Sequence, residues 1–416
     1  MALNRPPRIL MVASSFPRWE GDHYGIFVSL VARELANRCH EVVVLAPHDP
    51  GAQRRESDGG LTIRRFRYFL PSGLQRLCYR GGMISAVRQG WFPKAQVITF
   101  LAAEVAAVRR ALDSSQFDLL HFHWALPQGM AVSIARVRRR LPVVGTFYGG
   151  DVSIFARGWK ARMVRAACEA ADVIVPISRA TRDALLTVSP DAKARTRIIP
   201  MPVDADRFAI PSATAPTGFP SERPVLLCVG RLAREKGFEY AIRAMPIVRQ
   251  SYPQASLVIV GRGPDAQRLQ PLAEELLGPG VCRFPGFVAA EALPAYYAHA
   301  DVFLLPSVLD DTGWQEGMGI VILEAAVAGC PAVATRAGGT SDVLVDGETG
   351  ILVPERDAAA LARAALAIIS SASMRQRFAA GAHARAIENF SVQSVATQYE
   401  DAYRAALAGR GTGGPR

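Results

Sequence analysis

The feature that most constrains the fold is an alternation of short apolar strands with amphipathic helices, which occurs twice along the chain. In the first half, RILMVA at 8–13 precedes a helical pattern, and VVVLAP at 42–47 follows as the next strand. In the second half, VLLCVG at 225–230 and SLVIVG at 256–261 are each followed by a helix. Strand–helix–strand repeats of this kind form parallel sheets covered by helices. The sequence therefore predicts an α/β chain with two Rossmann-like, doubly wound domains facing across a cleft.

The predicted domain boundary lies in SATAPTGFPSERP at 212–224, a stretch rich in Pro, Ser, Thr and Gly. We place the first domain at 1–210, the linker at 211–224 and the second domain at 225–388. A helical segment at 389–410 follows. In open parallel sheets, ligands bind beyond the carboxyl ends of the strands, so the sequence places the site in the cleft between the two domains.

Composition and charge narrow the classes of partner. The chain of 416 residues is 50% hydrophobic and 20% charged, which is enough apolar material for two cores. Its net charge of +11 suits a negatively charged partner. The basic residues form no single long run, and no nucleic-acid-binding motif is present. We therefore expect a phosphate-bearing ligand or an anionic membrane surface, and no nucleic acid.

The cysteines and the hydropathy pattern predict the compartment. Six scattered cysteines without a CxxC pair indicate free thiols in a reducing environment. The apolar run near the N-terminus is too short for a signal peptide, and no stretch is long enough to span a bilayer. These features predict a cytoplasmic protein, with peripheral attachment to the inner face of the plasma membrane as a further option.

The stretch DDTGWQEGMGIVILEAAVAGCP at 310–331 carries two carboxylates, Glu316 and Glu324, around a glycine-containing turn. Glycines before a helix can bring free N–H groups and the positive helix end against an anion. Glu324 lies within the apolar helix, where a carboxylate needs hydrogen-bond donors such as sugar hydroxyls. Taken alone, the stretch is equally compatible with an ordinary capped helix that tolerates one glutamate.

A second group of candidate residues follows the strand at 225–230. Gly230 permits a tight turn, Arg231 lies at the carboxyl end of the strand, and Lys236 begins the next helix. Two cations near a helix N-terminus suit a diphosphate leaving group. The alternative is a pair of surface cations in a loop. The presence of Glu316 in the same half of the chain favours a site.

Taken together, these motifs resemble the retaining, nucleotide-sugar-dependent glycosyltransferases of family four, whose two Rossmann-like domains form the GT-B fold. GRLAREKG at 230–237 matches the family's phosphate-binding motif. Glu316 and Glu324, with seven residues between them, match its paired glutamates. LVIVGRGP at 257–264 and the segment 331–353 follow in the family's order. Each motif alone is weak, but several in the right order and structural context are specific.

The resemblance implies a role for each matching residue. Arg231 and Lys236 would hold the diphosphate and stabilise its charge. Glu316 would bind the donor sugar, and Glu324 would accept from the ribose hydroxyls. The other donor-binding residues implied are Gly25 in the loop 14–25, Gly230, Phe287 and Val288 near the base, and Gly317, Met318, Gly319 and Ile320 in the glutamate motif.

The resemblance also implies the reaction. A hexosyl unit would pass with retention from a UDP- or GDP-sugar to a glycan or lipid-linked glycan, without a required metal. Positioning and charge stabilisation would supply most of the catalysis. The C-terminal helix within 389–410 would return to the first domain.

The chain departs from the family at Tyr148, in GTFYGGD, where the family usually has a histidine. Near neutral pH a tyrosine is a poor base, so the change either tunes substrate choice or weakens activity. His123, in HFHW at 121–124, could take over or serve a structural role. The departure motivates a rival, a non-catalytic glycan- or nucleotide-binding partner. A sugar-nucleotide epimerase of the same shape would not explain the paired glutamates.

Two pairs of acidic residues match sequence patterns that can bind a metal ion. Asp204 and Asp206 form an Asp-x-Asp sequence, which we interpret as structural because it lies in the inter-domain segment. Asp310 and Asp311 are adjacent carboxylates, a pattern that can bind a cation, and we assign them to a loop on the sugar or acceptor side. The sequence therefore predicts no metal site.

The segment 64–94 mixes seven cations with six aromatic residues. Basic and aromatic residues together suit a membrane interface, where arginine meets lipid phosphate and rings insert shallowly. The alternative is a solvated helix pair whose aromatic rings pack in the core. Under the membrane interpretation, the acceptor is a lipid-linked glycan.

Overall fold

The computed structural model describes residues 5–79, 82–136, 141–209, 214–311 and 313–409. The chain forms two compact units. The first unit comprises Met1–Ile177, Thr181–Ile199 and Val395–Arg416, and the second comprises Ser178–Ala180 and Pro200–Ser394.

The segment from 200 to 209 belongs to the second unit, whereas the sequence interpretation had assigned it to the first domain. Two contacts account for the difference. Val203 pairs with Ser391, and the ring of Phe208 packs edge-on against that of Tyr297. Residues 210–213, at the start of the predicted linker, lie outside the described residues.

The bounds of the elements are as follows. The strands are β1 (Arg8–Val12), β2 (Glu41–Pro47), β3 (Arg55–Asp58), β4 (Leu61–Phe66), β5 (Leu119–His123), β6 (Val143–Phe147), β7 (Val173–Pro176), β8 (Val225–Val229), β9 (Ser256–Val260), β10 (Cys282–Gly286), β11 (Val302–Leu305), β12 (Ala332–Thr335) and β13 (Gly350–Val353). The helices are α1 (Ile26–Asn37), α2 (Met83–Gln89), α3 (Trp91–Ser114), α4 (Met130–Arg136), α5 (Gly150–Ser153), α6 (Ala161–Ala170), α7 (Arg179–Val188), α8 (Ala205–Phe208), α9 (Phe238–Ser251), α10 (Ala266–Leu277), α11 (Leu293–Ala298), α12 (Ile320–Val327), α13 (Thr340–Val343), α14 (Ala358–Ser370), α15 (Ala372–Phe390) and α16 (Val392–Ala408).

The first unit is built on a seven-stranded sheet in the order β3-β4-β2-β1-β5-β6-β7. All neighbouring strands are parallel except β3 and β4, which form an antiparallel pair at one edge. Side chains alternate between the two faces of a strand. Leu10 and Val12 therefore pack with α3, α4, α6 and α7, while Ile9 and Met11 pack with α1 and α16.

The hairpin of β3 and β4 was not predicted, because residues 61–66 were assigned to the basic, aromatic segment. The structure shows why the pattern was ambiguous. Leu61, Ile63 and Phe66 are buried in the sheet. Arg65, which directly precedes Phe66, is also buried. Arg65 is compatible with this position because it pairs with Glu56 of β3.

The second unit contains a six-stranded parallel sheet in the order β10-β9-β8-β11-β12-β13. Helices α9, α10 and α14 pack on one of its faces. Strands β8, β9 and β11 are neighbours and parallel, so the loops that follow them emerge at the same edge of the sheet. This edge carries the charged residues of the candidate site.

Two further findings concern the chain as a whole. Across the described ranges, no helix combines the length and apolarity needed to cross a bilayer. All six cysteines are free thiols, and four of them are buried.

Candidate active site

The central feature of the second unit is an ion pair between Lys236 and Glu316. Lys236 ends a short 3-10 turn after β8, and its Nζ lies 2.6 Å from Oε2 of Glu316. Ser307, just beyond β11, donates to the same oxygen at 3.1 Å. Burial alone would raise the pKa of Glu316, but the charge of Lys236 and the hydrogen bonds outweigh burial and lower that pKa. The carboxylate therefore stays ionised at neutral pH.

Two consecutive glycines fix the backbone that carries Glu316. A Cβ at Gly338 would collide with the carbonyl of Glu316, and one at Gly339 would collide with the carbonyl of Gly317. The N–H of Gly339 also donates to the carbonyl of Glu316 at 3.0 Å. The doublet lies in the family-like segment 331–353, but no role in the site was predicted for it. The sequence signal that could have identified this role is the Gly-Gly doublet itself, since a close approach of two backbone segments requires glycine.

Helix α12 begins directly after the glutamate loop. Gly319 precedes it in a left-handed conformation with φ of 85°, and no side chain caps the helix start. Uncapped N–H groups at a helix N-terminus favour an anion. The side chain of Met318 is buried, and its sulfur accepts from the N–H of Met201 at 3.3 Å. Of the predicted donor-binding residues here, Gly317, Met318 and Gly319 can therefore offer a ligand only their backbone.

Glu324 lies on the second turn of α12 and is held by a tyrosine. The hydroxyl of Tyr297, from α11, donates to Oε2 of Glu324 at 2.7 Å. Burial raises the pKa of Glu324 to about 7, although this hydrogen bond and the charge of Arg207 act in the opposite direction. The carboxyl group thus gains and loses its proton near neutral pH. Tyr297 was not identified from the sequence, because nothing in its local pattern links it to Glu324.

Arg231 does not share a partner with Lys236. Its guanidinium lies 2.5 Å from Oε1 of the buried Glu235 and 5.2 Å from the centroid of the Trp314 ring. The two predicted cations are therefore each held by a different carboxylate. Glu235 and Trp314 were missed by sequence reasoning, although Glu235 adjoins Lys236.

The glycines after β8 and β9 allow the two strand ends to approach closely. A Cβ at Gly261 would collide with the carbonyl of Gly230. Beyond β10, Phe287 exposes 49% of its surface, and the guanidinium of Arg262 lies 6.0 Å from its ring centroid. Val288 is partly exposed beside it. Gly230, Gly261 and Phe287 therefore follow the neighbouring strands β8, β9 and β10, at the edge where such sheets bind nucleotides.

In the first unit, His123 and Tyr148 form a hydrogen-bonded pair at the ends of β5 and β6. Nδ1 of His123 lies 2.7 Å from the hydroxyl of Tyr148. Burial lowers the pKa of His123 to about 3 and raises that of Tyr148 well above its usual value. Both side chains are therefore neutral at pH 7. The structure brings these two predicted residues together, although they are far apart in the sequence.

Asp151 fixes the backbone around Tyr148. Its two carboxylate oxygens accept from the N–H groups of Ala125 at 2.7 Å and Tyr148 at 2.9 Å. Burial raises the pKa of Asp151 to about 6, despite these backbone hydrogen bonds. Two rings contact Tyr148: its centroid lies 4.7 Å from that of Trp124 and 5.0 Å from that of Phe27. Trp124 and Phe27 were not identified as site residues from the sequence.

The loop 14–25 is fastened in place by charge and by close packing. Arg18 pairs with Asp22 at 2.7 Å and with Asp49 at 2.6 Å. Gly25, which precedes α1, has φ of 70°, and a Cβ there would collide with the carbonyl of Ser15. Gly25 therefore has a clear packing role, while its predicted contact with the donor stays a prediction.

One carboxylate of each acidic pair has a structural partner. Asp204 caps α8 by accepting from the N–H of Arg207 at 3.2 Å. Asp310 accepts from the N–H of Trp314 at 2.8 Å. Within the described ranges, no group of three or more His, Cys, Asp or Glu side chains is placed to hold a metal ion. Whether the activity requires a metal is a separate question, and metal independence stays a prediction.

Both halves of the chain are similar to known glycosyltransferases. Residues 210–385 match the family model described as "Glycosyl transferases group 1", and residues 25–207 match that described as "Glycosyltransferase Family 4". A GDP-mannose-dependent alpha-(1-6)-phosphatidylinositol monomannoside mannosyltransferase of Mycolicibacterium smegmatis is 31% identical over 373 residues, which is 86% of this chain and 87% of the relative.

A second relative has a different name. The glycogen synthase of Mycobacterium tuberculosis is 31% identical over 306 residues, covering 72% of this chain and 71% of the relative. Among solved structures, sucrose-phosphate synthase from Thermosynechococcus elongatus has a TM-score of 0.77 and 23% identity, and covers 97% of this chain and 100% of that one. This likeness shows the fold.

Proposed function

The chain belongs to glycosyltransferase family 4, and we propose that it transfers a hexosyl unit, with retention, from a nucleoside-diphosphate sugar to a lipid-linked acceptor. The two-domain GT-B fold and the use of a nucleotide sugar follow from the family. Retention, the acceptor and the membrane surface are the proposed parts. The observation that carries the proposal is the Lys236–Glu316 pair beside the uncapped start of α12.

The ion pair contains the two charged groups that a nucleotide sugar would bind. The ammonium of Lys236 and the carboxylate of Glu316 pair with each other at 2.6 Å. A bound donor replaces that interaction with two others: its phosphate accepts from Lys236, and its sugar hydroxyls donate to Glu316. Each charge thereby exchanges one partner for another, and neither is left buried and unpaired.

The transfer step then depends on charge stabilisation. The bond between the anomeric carbon and the phosphate oxygen breaks, and negative charge accumulates on the nucleoside diphosphate. Lys236, Arg231 and the N–H groups at the start of α12 stabilise that charge. In the retaining, front-face route, the departing phosphate oxygen takes the proton of the acceptor hydroxyl, whose oxygen bonds to the anomeric carbon on the same face. The protein thus needs no separate base.

GDP-mannose is the first donor to test. The relative that matches 86% of this chain is named as a GDP-mannose-dependent mannosyltransferase. Its name also specifies a phosphatidylinositol glycoside as acceptor, which supports a lipid-linked acceptor here. The glycogen synthase match covers less of the chain, so a polysaccharide acceptor ranks second.

The first unit carries a surface that suits an anionic membrane. Residues 61–103 contain seven Arg and Lys residues and no Asp or Glu, but one of the seven, Arg65, is buried and paired with Glu56. At the start of α3, Trp91, Lys94 and Ile98 share one exposed helical face, and Trp91 is 77% exposed. Exposed tryptophan beside cations is typical of an interfacial segment. Other aromatic residues of the predicted segment, including Tyr68 and Tyr79, are buried, so the core-packing alternative holds for them.

The loop 70–76, which precedes α2, is anchored to α3 by hydrogen bonds. The side chain of Gln96 donates to the carbonyl of Leu74 at 2.7 Å and accepts from the N–H of Arg76 at 3.0 Å. Leu74 is exposed, and so is Leu70 in the same loop. Arg80, a further cation of the segment, lies outside the described residues. The described part therefore presents apolar side chains and cations together.

A second group of the same kind precedes α6. Residues 152–168 contain four Arg and Lys residues and no acidic one, and Trp159 is 70% exposed. Helices α3 and α6 both pack against α4, and each of the three precedes a strand of the parallel sheet. Their N-terminal ends therefore lie at the same edge of the sheet.

This edge is the one at which β5 and β6 end, close to His123 and Tyr148. A membrane bound there would place lipid headgroups near those strand ends. The sugar of a lipid-linked acceptor could then reach the site while its acyl chains stay in the bilayer. The surface and the acceptor are thus parts of one proposal.

The transferase proposal is tested with a panel of UDP- and GDP-sugars and a bacterial lipid extract as acceptor. We expect labelled sugar to enter the lipid fraction with one donor, GDP-mannose being the first candidate. Donor binding without turnover on lipid, polysaccharide or water would contradict the enzyme assignment. It would instead favour the rival, a non-catalytic binding partner.

The membrane proposal is tested by vesicle sedimentation, using vesicles with and without phosphatidylglycerol. We expect binding to anionic vesicles only. Trp91→Ser or Trp159→Ser should weaken this binding about tenfold, because each removes a ring that the bound membrane would bury. Leu276→Ser and Ile387→Ser are matched controls, since they remove exposed apolar side chains from the second unit. Equal binding by all four variants would contradict the assigned surface.

A further inference from the structure

We propose that Trp314 is a positioning residue, whose indole holds the guanidinium of Arg231 in the orientation that stabilises the charge of a departing nucleoside diphosphate. The inference rests on the proposed function and deepens it, because it adds to the donor site a residue that the sequence motifs do not contain. It also distinguishes the task of Arg231 from that of Lys236.

Two groups hold the guanidinium of Arg231. The buried Glu235 accepts from its Nη2 at 2.5 Å. The central carbon of the guanidinium lies 5.2 Å from the centroid of the Trp314 ring, within the range of a cation–π contact. A guanidinium is planar, so a carboxylate at its edge and a ring at its face together fix the orientation of that plane.

The same guanidinium keeps donors for a ligand. A guanidinium carries five N–H groups, and among the described residues the hydrogen bond to Glu235 is the only one that Arg231 makes with its side chain. The side chain of Arg231 is also 39% exposed. Arg231 is therefore held in place while its other N–H groups can reach a phosphate through charge-assisted hydrogen bonds.

The segment that carries Trp314 is closed by hydrogen bonds to Asp310. The N–H of Trp314 donates to a carboxylate oxygen of Asp310 at 2.8 Å, and the N–H of Asp310 donates to the carbonyl of Trp314 at 2.9 Å. The N–H of Gly313, which has φ of 82°, donates to the carbonyl of Asp310 at 3.0 Å. These bonds fix the backbone at Trp314 relative to Asp310.

Two residues after β13 hold the start of the same segment. Glu355 accepts from the N–H of Leu309 at 2.8 Å, and the guanidinium of Arg356 donates to the carbonyl of Leu309 at 2.6 Å. Arg356 has φ of 60°, a region that residues other than glycine rarely adopt. Both backbone groups of Leu309 are thus bonded, although its side chain is exposed.

Glu235 connects this segment to Arg231. Its carboxylate holds the guanidinium, and its backbone carbonyl accepts from the N–H of Val308 at 2.9 Å. Val308 directly precedes the segment that carries Trp314. The carboxylate and the indole are therefore fixed by one connected set of hydrogen bonds, and they keep their relative positions when Arg231 contacts a ligand.

A cation held in this way acts chiefly on the transition state. Lys236 pairs with Glu316, and a donor phosphate would replace that carboxylate. Arg231 keeps its two partners, so none has to be exchanged as negative charge accumulates on the leaving group. A charge that is already oriented stabilises the transition state without reorganisation. Lys236 would thus act in donor binding as well as in transfer, whereas Arg231 would act mainly in transfer.

The kinetics of Trp314 variants test this division. Trp314→Leu, which removes the ring and keeps an apolar side chain, should lower kcat about tenfold while KM for the donor stays within about threefold. Trp314→Phe keeps an aromatic face, so its kcat should stay within about threefold of the wild-type value. Leu309→Ala is the matched control, since it removes an exposed apolar side chain from the same segment, and it should leave kcat and KM unchanged. Equal losses of kcat in Trp314→Leu and Trp314→Phe would overturn the inference.

Calorimetry with GDP and UDP tests the inference without relying on transfer. A free nucleoside diphosphate carries the charge that develops on the leaving group, so Trp314→Leu should weaken its binding about tenfold. In the Arg231→Ala background, the same substitution should change the affinity by less than about twofold, because the residue on which Trp314 acts is absent. This pattern in a chain without transfer activity would support the inference and contradict the transferase.

Two results of the calorimetry would overturn the inference alone. Equal weakening by Trp314→Leu in the wild-type and Arg231→Ala backgrounds would show that Trp314 acts on a group other than Arg231. Unchanged affinity in Trp314→Leu would show that the indole does not contribute to diphosphate binding. The absence of GDP and UDP binding in the wild type would contradict both the inference and the proposed donor site.

Discussion

The two units differ in the charge state of their buried ionisable groups. In the second unit, Lys236 and Glu316 are charged and paired, and burial does not prevent the ionisation of Glu316. In the first unit, His123 and Tyr148 are hydrogen-bonded and neutral, because burial disfavours their charged forms. The difference matches the chemistry expected of each. A departing diphosphate needs full charges to stabilise it, whereas a sugar ring needs only oriented hydrogen bonds and apolar contact.

The same principle produces both outcomes. Burial penalises every charge, and an ion survives only where an opposite charge or several donors compensate it. Glu316 has Lys236 and Ser307 as compensating partners. His123 has only a phenol on Nδ1 and no partner on Nε2 among the residues that are described, so it stays neutral.

The largest effect is expected from Lys236→Ala, which removes the charge that we propose holds the diphosphate. Transfer should fall about a thousandfold, because a preorganised charge at a leaving group contributes several kcal/mol to transition-state stabilisation. The midpoint of thermal unfolding should fall only slightly. Both are measured on the same preparation, with Arg234→Ala, an exposed cation of the same turn, as the control. A loss of stability that matched the loss of activity would mark Lys236 as structural.

The next effect concerns the pH dependence of nucleotide binding. Burial raises the pKa of Glu324 to about 7, and only its ionised form can accept from two ribose hydroxyls. A nucleotide that requires the carboxylate competes with a proton, so its affinity should rise about tenfold from about pH 6 to about pH 8. Calorimetry with GDP and UDP measures this change. Glu324→Gln should bind more weakly, with an affinity that is less dependent on pH. A pH dependence equal to that of the wild type would refute the role of Glu324.

A smaller effect is expected from Tyr148→His, which introduces the residue usual in the family. Burial lowers the pKa of the neighbouring His123 to about 3, so an imidazole at position 148 should also stay neutral, and the ratio of variant to wild-type activity should not change from about pH 6 to about pH 8. Donor hydrolysis should rise or stay unchanged. A ratio that changed with pH would show that the imidazole becomes charged there, and a collapse of activity would show that tyrosine itself is required.

The smallest effect on activity concerns Glu104, a buried residue of α3 in the first unit. Nε2 of Gln128 donates to Oε1 of Glu104 at 3.0 Å, while Oε2 of Glu104 and Oε1 of Gln128 have no partner among the described residues. A proton on Glu104 would join those two oxygens and complete a cyclic acid–amide pair. Burial raises the pKa of Glu104 to about 8, which is consistent with that proton at neutral pH.

Replacing Glu104 by Gln should preserve two hydrogen bonds with Gln128 and remove the titration. Between pH 4.5 and about pH 8 the unfolded chain loses this proton while the folded chain keeps it, so the wild type loses stability as pH rises. At pH 8.5, Glu104→Gln should therefore be more stable than the wild type by about 2 kcal/mol in denaturant unfolding, whereas at pH 5 the two proteins should be equally stable. Transfer activity should not change. A stability difference that is the same at both pH values would disprove the buried proton.

The spacing of residues along the chain predicted the second unit better than the first. The glycine after β8, the lysine six residues later and the paired glutamates predicted a donor site, and the structure brings Lys236 and Glu316 into contact. The donor site could be predicted because loops after neighbouring parallel strands meet at one edge of the sheet. The carboxylate that each cation binds could not be predicted, and Arg231 in fact pairs with Glu235.

The first unit was harder to predict because its site depends on tertiary contacts without local signals. His123 and Tyr148 were both identified, but their hydrogen bond depends on the register between β5 and β6. Phe27 and Trp124 look like ordinary apolar residues in the sequence, and only the structure shows that they contact Tyr148. The edge hairpin of β3 and β4 was missed because its charged side chains concealed the alternation of a strand.

The measurement that tests the central claim most directly is proton NMR of a reaction with the productive donor, followed from the first turnovers. An α-linked donor such as GDP-α-mannose should give a glycosylated product whose first observed anomeric signal is α, and this signal should be absent with Lys236→Ala. A β product would contradict the retaining mechanism. No product from any donor and acceptor, with nucleotide binding intact, would contradict the assignment of transfer to this chain.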